Sequence, residues 1–426
     1  MKTTKFLLSV LALTAGGALF AQMPEIKGAE QLIRQNPPSI LEAKKSIDKA
    51  TEMSGVEAIP YYWFVRGWVY TEFGSNRTPE YVANDPQASE KAVISMYKFY
   101  TMADEKSLRK YRENANAVLP GAVVNAYNRA YDLTTKDSNY KASLEIYDNL
   151  APLIKYDNEH DQVLKAKVPG VSYNTVLLLS YVAADKMNDN NAARNYLQKL
   201  IDNKYADPKL YIYMSRTYEK EGNTGKQLES IKSGRVAYPN NKDVISEEIN
   251  YYIQNDKLII LKQTIDKEIE GGNADANFYF IRGYINDQIG VGSIDVNGKK
   301  GAGKVDTAYL RGAQNDYLKT LELNSNSLDA TFNLGVLHTT IGNYYYETAS
   351  KLPYSETVKF DALKKLETEN FNKAIEYFEM ADGFSSLSNT ERIEMYGYMK
   401  QLYGKTRQLT KIKEMDAKID ALKMQK

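Results

Sequence analysis

The sequence predicts an all-α fold, a solenoid of about eight or nine helical pairs stacked along one axis. Three observations carry that expectation. Residues 208–241 and 242–275 are consecutive blocks of 34 residues that align without a gap, each with apolar residues at helical spacing on both sides of a central break. The composition, 43% hydrophobic and 26% charged with 34 tyrosines, is that of a folded helical chain and not a disordered one. Finally, 426 residues exceed the usual size of one compact core, whereas a core that grows lengthwise has no such ceiling.

From the N-terminus, residues 1–21 ("MKTTKFLLSVLALTAGGALFA") have the build of a secretory signal peptide: Lys2 and Lys5, an apolar run from Phe6, then small residues. A membrane anchor is the competing reading. The stretch from Phe6 to Ala21 would span about 24 Å as a helix, short of a hydrocarbon core of roughly 30 Å. Cleavage is expected after Ala21, with Ala18 as the second choice because Leu19 is large for the third position before the cut. The exported chain is expected in the periplasm, with extracellular or outer-membrane-associated placement as alternatives, and no transmembrane segment is expected after signal removal. The chain has no cysteine, which excludes disulfides, thiolate metal sites, a thiol nucleophile and a lipid-bearing cysteine. Lys+Arg and Asp+Glu number 55 and 54, so no global field gathers nucleic acid, and no nucleic-acid partner is expected.

The helical pairs follow in order. "SILEAKKSIDKA" reads as the second helix of a first pair. "YYWFVRGWVY" sets Trp63, Gly67 and Tyr70 on one helix, with Met96, Tyr100 and Ala103 on its partner. Tyr140, Leu144 and Tyr147 mark another second helix, and Tyr181, Ala193 and Leu197 a further pair. In 208–241, Tyr211, Met214, Ser215 and Tyr218 form the first helix, Gly222 breaks it, Leu228 and Ile231 form the second and Pro239 ends it. In 242–275, Ile245, Ile249 and Tyr252, then Leu261 and Ile265, take equivalent places. Residues 276–326 form a third copy interrupted by an insertion at 291–306, with Tyr279, Gly283 and Asn286 before it and Ala313, Tyr317, Thr320 and Leu321 after. A fourth copy, 328–383, is interrupted at 345–370, where "VKFDALKKLETENF" is itself expected to be helical. A helical pair at 389–424 closes the chain.

These residues resemble the tetratricopeptide repeat, whose first helix wants a large aromatic, Leu-Gly and Tyr, and whose second wants Ala, Phe or Tyr, Ala and a late Pro. Leu334 and Gly335, with Ala374, Phe378 and Ala381, match best. Glu248, Glu268 and His338 depart from the pattern, each taking the place of an apolar or tyrosine residue. The resemblance extends over about residues 25–424 and implies a tetratricopeptide-repeat superhelix, one continuous array over 22–424. More narrowly, "EAKKSIDKA", "WFVRG", the insertion after "NLGVLHTTIGNYYYETASKLP" and the terminal "KIKEMDAKIDALK" resemble secreted repeat proteins of Bacteroidota. Stacking has a physical reason. Ordering a 34-residue unit costs on the order of 50 kcal/mol of conformational entropy, more than one hairpin of helices recovers alone, so neighbours must complete its burial.

Motifs for chemistry are few. "NGKKGAGKVD" places Gly298, Gly303 and Lys304 at phosphate-loop spacing, but Val305 stands where Ser or Thr would hold magnesium, and no strand of useful length feeds the loop. A small hairpin turning at Asn297-Gly298 is the preferred reading. Asp295 and Asn297 lack the further ligands of a calcium loop. His160 and His338, the two histidines, have no partner at metal-ligand spacing. No catalytic residue, cofactor or metal is expected.

In tetratricopeptide arrays the first helix of each pair lines a concave groove. The resemblance assigns the groove places to Phe64 and Trp68, Ile212 and Arg216, Ser246 and Asn250, Phe280 and Tyr284, and Phe332 and Val336. Aromatic and arginine side chains are those that anchor protein partners. The expected function is a non-catalytic scaffold of the bacterial cell envelope that holds a protein or an extended peptide in that groove. Two rival readings are a carbohydrate-capture protein, similar in class to starch-binding outer-membrane proteins, and a nucleotide-binding enzyme using the 298–304 loop.

Overall fold

The computed structural model describes residues 23–272, 274–301 and 303–424. The signal peptide assigned to residues 1–21 lies outside them. The chain is all-α: among the described residues the one extended pairing is an isolated bridge between Ile294 and Lys300. Its contacts divide it into two compact units, Met1–Val244 and Ile245–Lys426.

The first unit runs through α1 (23–33), α2 (Ile40–Thr51), α3 (Pro60–Ser75), α4 (Pro79–Asn84), α5 (Ala88–Met102), α6 (Glu105–Thr135), α7 (Tyr140–Glu159), α8 (Val163–Lys167), α9 (Tyr173–Lys186), α10 (Asn190–Asp202), α11 (Lys209–Lys220) and α12 (Thr224–Ala237). α3 packs on α5 and α6, α7 on α9, α9 on α10 and α11 on α12. Its core is rich in rings: Tyr62, Phe64, Tyr70, Phe73 and Phe99 are almost wholly buried. Tyr62 and Tyr70 show why tyrosine serves here, since a buried phenol contributes apolar area and retains a polar handle. The Tyr70 hydroxyl, for instance, donates to Asp48 at 2.5 Å.

The second unit contains α13 (Lys242–Gln254) from Ile245 onward, α14 (Leu258–Glu270), α15 (Ala276–Gly290), α16 (Thr307–Leu323), α17 (Leu328–Ser350), α18 (Thr357–Asp382), α19 (Asn389–Lys405) and α20 (Leu409–Met424). α15 pairs with α16, α17 with α18 and α19 with α20, and each pair also touches the next. Glycines let the paired axes approach. A methyl group on Gly335 would stand 2.8 Å from Cε1 of Phe378, and one on Gly342 would stand 2.5 Å from Cε1 of Phe371. Both rings are buried in the gaps left by the missing side chains. Gly283 does the same for Tyr317, whose ring would meet an added methyl at 3.0 Å.

The two insertions take different forms. Residues 291–306 leave α15 and return to α16 through a small hairpin. The stretch 345–370 makes no separate excursion: 345–350 complete α17 and 357–370 open α18, so it lengthens both helices of one pair. The three residues that depart from the repeat pattern are buried with partners. Tyr252 donates to Glu248 at 3.3 Å, Glu268 is buried and engaged, and His338 Nδ1 lies 2.9 Å from Asn370 Oδ1, with its ring stacked on Tyr377. Burial holds the His338 imidazole below its ordinary pKa, hence neutral.

Candidate functional site: an apolar pocket in the second unit

α15, α17 and α19 are the leading helices of three successive pairs, and each begins at a side-chain cap. Asp275 accepts from the Phe278 N–H at 3.1 Å, Ser327 from Ala330 at 3.3 Å, and Ser388 from Glu391 at 3.3 Å. The last is a reciprocal capping box, because the Glu391 carboxylate accepts from the Ser388 N–H at 2.8 Å. These caps satisfy backbone donors that would otherwise be orphaned and fix where each helix starts. The face each helix presents is thereby fixed.

Those faces converge on a pocket of about 550 Å³. α15 supplies Phe280, Ile281 and Tyr284, α17 supplies Leu328 and Phe332, and α19 supplies Tyr398. Ile285 of α15, Ile253 of α13, Leu258 and Leu261 of α14, and Leu387, just before α19, complete the apolar lining. Spacings of three and four residues, as in Phe280 and Tyr284, Leu328 and Phe332, or Glu391, Glu394 and Tyr398, put each set on one stripe of its helix. Buried rings support the walls from behind. Phe378 of α18 lies edge-on to Phe332 at 5.3 Å and parallel to Tyr398 at 6.1 Å, while Tyr317 of α16 backs Phe280 at 5.9 Å. Gly335 and Gly283, by admitting Phe378 and Tyr317, thus position the pocket lining.

Leu261 and Leu387 also belong to the protein's core, but part of the apolar surface here is left over from it. Tyr284 is 42% exposed, Tyr398 38% and Ile253 47%. The polar lining is Asn333 with the carboxylates of Asp329, Glu391 and Glu394, all three exposed, and no Lys, Arg or His joins them. Arginines on the same helices are engaged elsewhere. Arg282 binds Asp316 at 2.6 Å and Asp266 at 3.2 Å, and Arg392 binds Asp382 at 2.7 Å. Hydrogen bonds from Ser388 hold the Glu391 carboxyl below its ordinary pKa, so it is charged at neutral pH. One further carboxyl, Asp287 on α15, is buried, its Oδ1 meeting no hydrogen-bond donor among the described residues, and burial pushes its pKa up to about 6.

Of the positions assigned to a groove, the pocket gathers Phe280, Tyr284 and Phe332. Val336 instead packs, half-buried, against the core formed by α18, α19 and α20. Ser246 and Asn250 are exposed on α13 and do not line the pocket. In the first unit, Phe64 and Ile212 are buried at 0% and 6% exposure, so these two are core side chains and not contact residues. They lie inward because Phe64 packs on Phe99 and Tyr111, and Ile212 sits among the buried residues of α11. Trp68 is half-buried with the Arg34 guanidinium 4.7 Å from its ring centre, and Arg216 is exposed on α11. Of the apolar lining, sequence reasoning missed Tyr398, Ile253, Leu258, Leu261, Ile281, Ile285, Leu328 and Leu387. For Tyr398 a signal exists, since it falls one turn after Glu394 on the opening helix of the last pair.

The Gly/Lys loop closes on itself. Ile294 bridges Lys300, the chain turns at Asn297-Gly298 with Gly298 at φ +82°, and the Asp295 carboxylate accepts from the N–H groups of Asn297 and Lys299, both at 2.8 Å. Those amides are the donors a phosphate would need. Lys300 pairs with Asp256 at 2.6 Å, anchoring the hairpin beside α14. His160 is exposed at the end of α7, stacked on Tyr156 at 4.0 Å. Among the described residues no group of three or more His, Asp or Glu is placed to hold a metal ion, and no helix is long and apolar enough to cross a membrane.

No family model matches the chain, and no curated protein matches it either. Solved structures similar to it include the C-terminal part of a TPR repeat-containing protein from Cytophaga hutchinsonii, 15% identical, with a TM-score of 0.43 over 70% of this chain and 95% of that one. A TPR repeats protein from Bacteroides fragilis is 19% identical with a TM-score of 0.29, covering 67% of this chain and 98% of that one. A tetratricopeptide repeat protein from Parabacteroides merdae is 13% identical with a TM-score of 0.24, over 81% and 98%. At scores this low, none of the three transfers a function to this chain.

Proposed function

We propose that this helical-repeat protein is a non-catalytic binding scaffold of the bacterial cell envelope that holds a segment of another protein, or an extended peptide, in the pocket of its second unit. The observation that carries this reading is the exposed aromatic surface of Tyr284 and Tyr398, presented by capped helices around a largely apolar pocket of about 550 Å³. A preformed wall of this kind loses little side-chain freedom when a partner arrives, which is where a rigid helical surface gains affinity over a loop. Export rests on the signal-peptide build of residues 1–21. Mass spectrometry of the protein recovered from its own cells tests that part. A new N-terminus at Gln22 or Leu19 supports it, and an intact Met1 opposes it.

Binding is tested by panning a naive library of 12-residue peptides against the full chain and against a Tyr284→Ala/Tyr398→Ala variant. Aromatic anchors at the centre of an interface typically carry at least 2 kcal/mol each when truncated, so selected peptides are expected to bind the variant at least tenfold more weakly. Equal binding to both proteins rejects the pocket. Binding of glycans on an array, with no peptide selected, favours the carbohydrate-capture reading instead. For the nucleotide reading, titration with ATP and magnesium is expected to give no heat, and a signal abolished by Lys304→Ala would overturn this.

A further inference from the structure

We propose that the segment held in this pocket sets a lysine or arginine beside bulky apolar side chains, the apolar groups filling the space between α15, α17 and α19 while the cation meets Asp329, Glu391 and Glu394. This rests on the function proposed above and adds the chemistry of the partner. Three features of the site lead to it. The lining is apolar apart from Asn333 and these carboxylates, with no cation among the lining residues. Among the described residues none of the three carboxylates forms an ion pair, whereas Arg282 and Arg392, the arginines on the same helices, are each held by their own aspartates. Nor do the three gather into a metal-binding group among the described residues.

Their positions sharpen the reading. Glu391 and Glu394 lie one turn apart on α19 and lead along the same stripe to Tyr398, so acid and aromatic surface share one helix face. Asp329 stands in the first turn of α17, beside Leu328 and one turn before Phe332. Each acid therefore adjoins apolar lining. An acidic or uncharged apolar segment would fill the same space but meet repulsion or no complement at these carboxylates, and charge complementarity discriminates between partners in this way.

The test uses the full chain and the same naive 12-residue library. Peptides selected on the wild type are expected to be enriched in Lys or Arg next to Leu, Ile, Phe, Tyr or Trp. Their affinity is expected to fall roughly tenfold on an Asp329→Asn/Glu391→Gln/Glu394→Gln variant, and also as salt rises. These substitutions keep shape, and glutamine at position 391 retains the capping box, so an unchanged unfolding temperature shows that the fold is intact. Selected peptides without basic enrichment, or equal affinity for the charge-neutral variant, overturn the inference. In that case loss of the same peptides on Tyr284→Ala/Tyr398→Ala leaves the pocket reading standing. Failure of both variants to weaken binding removes both proposals.

Discussion

At the scale of single residues, two buried aspartates of the second unit have opposite fortunes. Asp316 is almost fully buried yet receives two hydrogen bonds from Arg282, at 2.6 and 3.0 Å, and one from Asn286 at 3.1 Å. Because Arg282 also reaches Asp266, it ties α14, α15 and α16 together. Arg282→Met would leave the buried Asp316 side chain without its partner, and a loss of about 3 to 5 kcal/mol in denaturant unfolding is expected, partly restored by adding Asp316→Asn. Asp287 has no such partner. Burial raises its folded pKa to about 6, so the folded state holds the proton more tightly than the unfolded chain does. Its contribution to stability is fully present below about pH 4 and is lost as pH rises through 6, roughly 3 kcal/mol in all. Asp287→Asn should therefore match the wild type near pH 4 and exceed it by up to that amount at pH 7.5. Parallel unfolding curves at both pH values would contradict the assignment.

At the scale of elements, the helix pair α17 and α18 shows how close approach depends on two glycines. Gly335→Ala and Gly342→Ala each force a methyl group against a buried phenylalanine, and each is expected to cost about 1 to 3 kcal/mol, read as a lowered denaturant midpoint. Gly335→Ala should also weaken peptide binding, because Phe378 supports Phe332 and Tyr398. This pair was legible in the sequence: Leu334, Gly335, Ala374 and Phe378 announce it, and Gly222 and Pro239 mark the earlier turns just as plainly. The site was legible only in part. The repeat resemblance assigns Phe280, Tyr284 and Phe332 to groove places, but it assigns Phe64 to one as well and cannot separate Phe64, turned into a ring-filled core, from Tyr284, left in solvent. That difference is set by neighbouring helices. The acidic lining was invisible for a related reason: glutamates are common on helix faces, and only the fold shows that Asp329, Glu391 and Glu394 surround one space with their neighbouring arginines occupied elsewhere.

At the scale of the whole molecule, burial comes from neighbouring pairs within each compact unit, so disturbance should spread by adjacency. In hydrogen exchange, Gly335→Ala is expected to raise amide exchange most in α17 and α18, less in their neighbours α16 and α19, and least in α13. A uniform rise throughout the second unit would instead indicate one indivisible cooperative block. Either result bears on binding, since the pocket draws on α13, α14, α15, α17 and α19 and keeps its shape only while all of them remain folded.

The hairpin between α15 and α16 leaves and re-enters at nearly the same point, for the Asp306 N–H donates to the Gly290 carbonyl at 2.8 Å and the Gly303 N–H to that of Gly292 at 3.0 Å. An outcrop closed at its own stem is a ready handle. A biotin-acceptor sequence spliced into its tip, between Gly298 and Lys299, would give a point of attachment to a sensor chip without altering the length of α15 or α16.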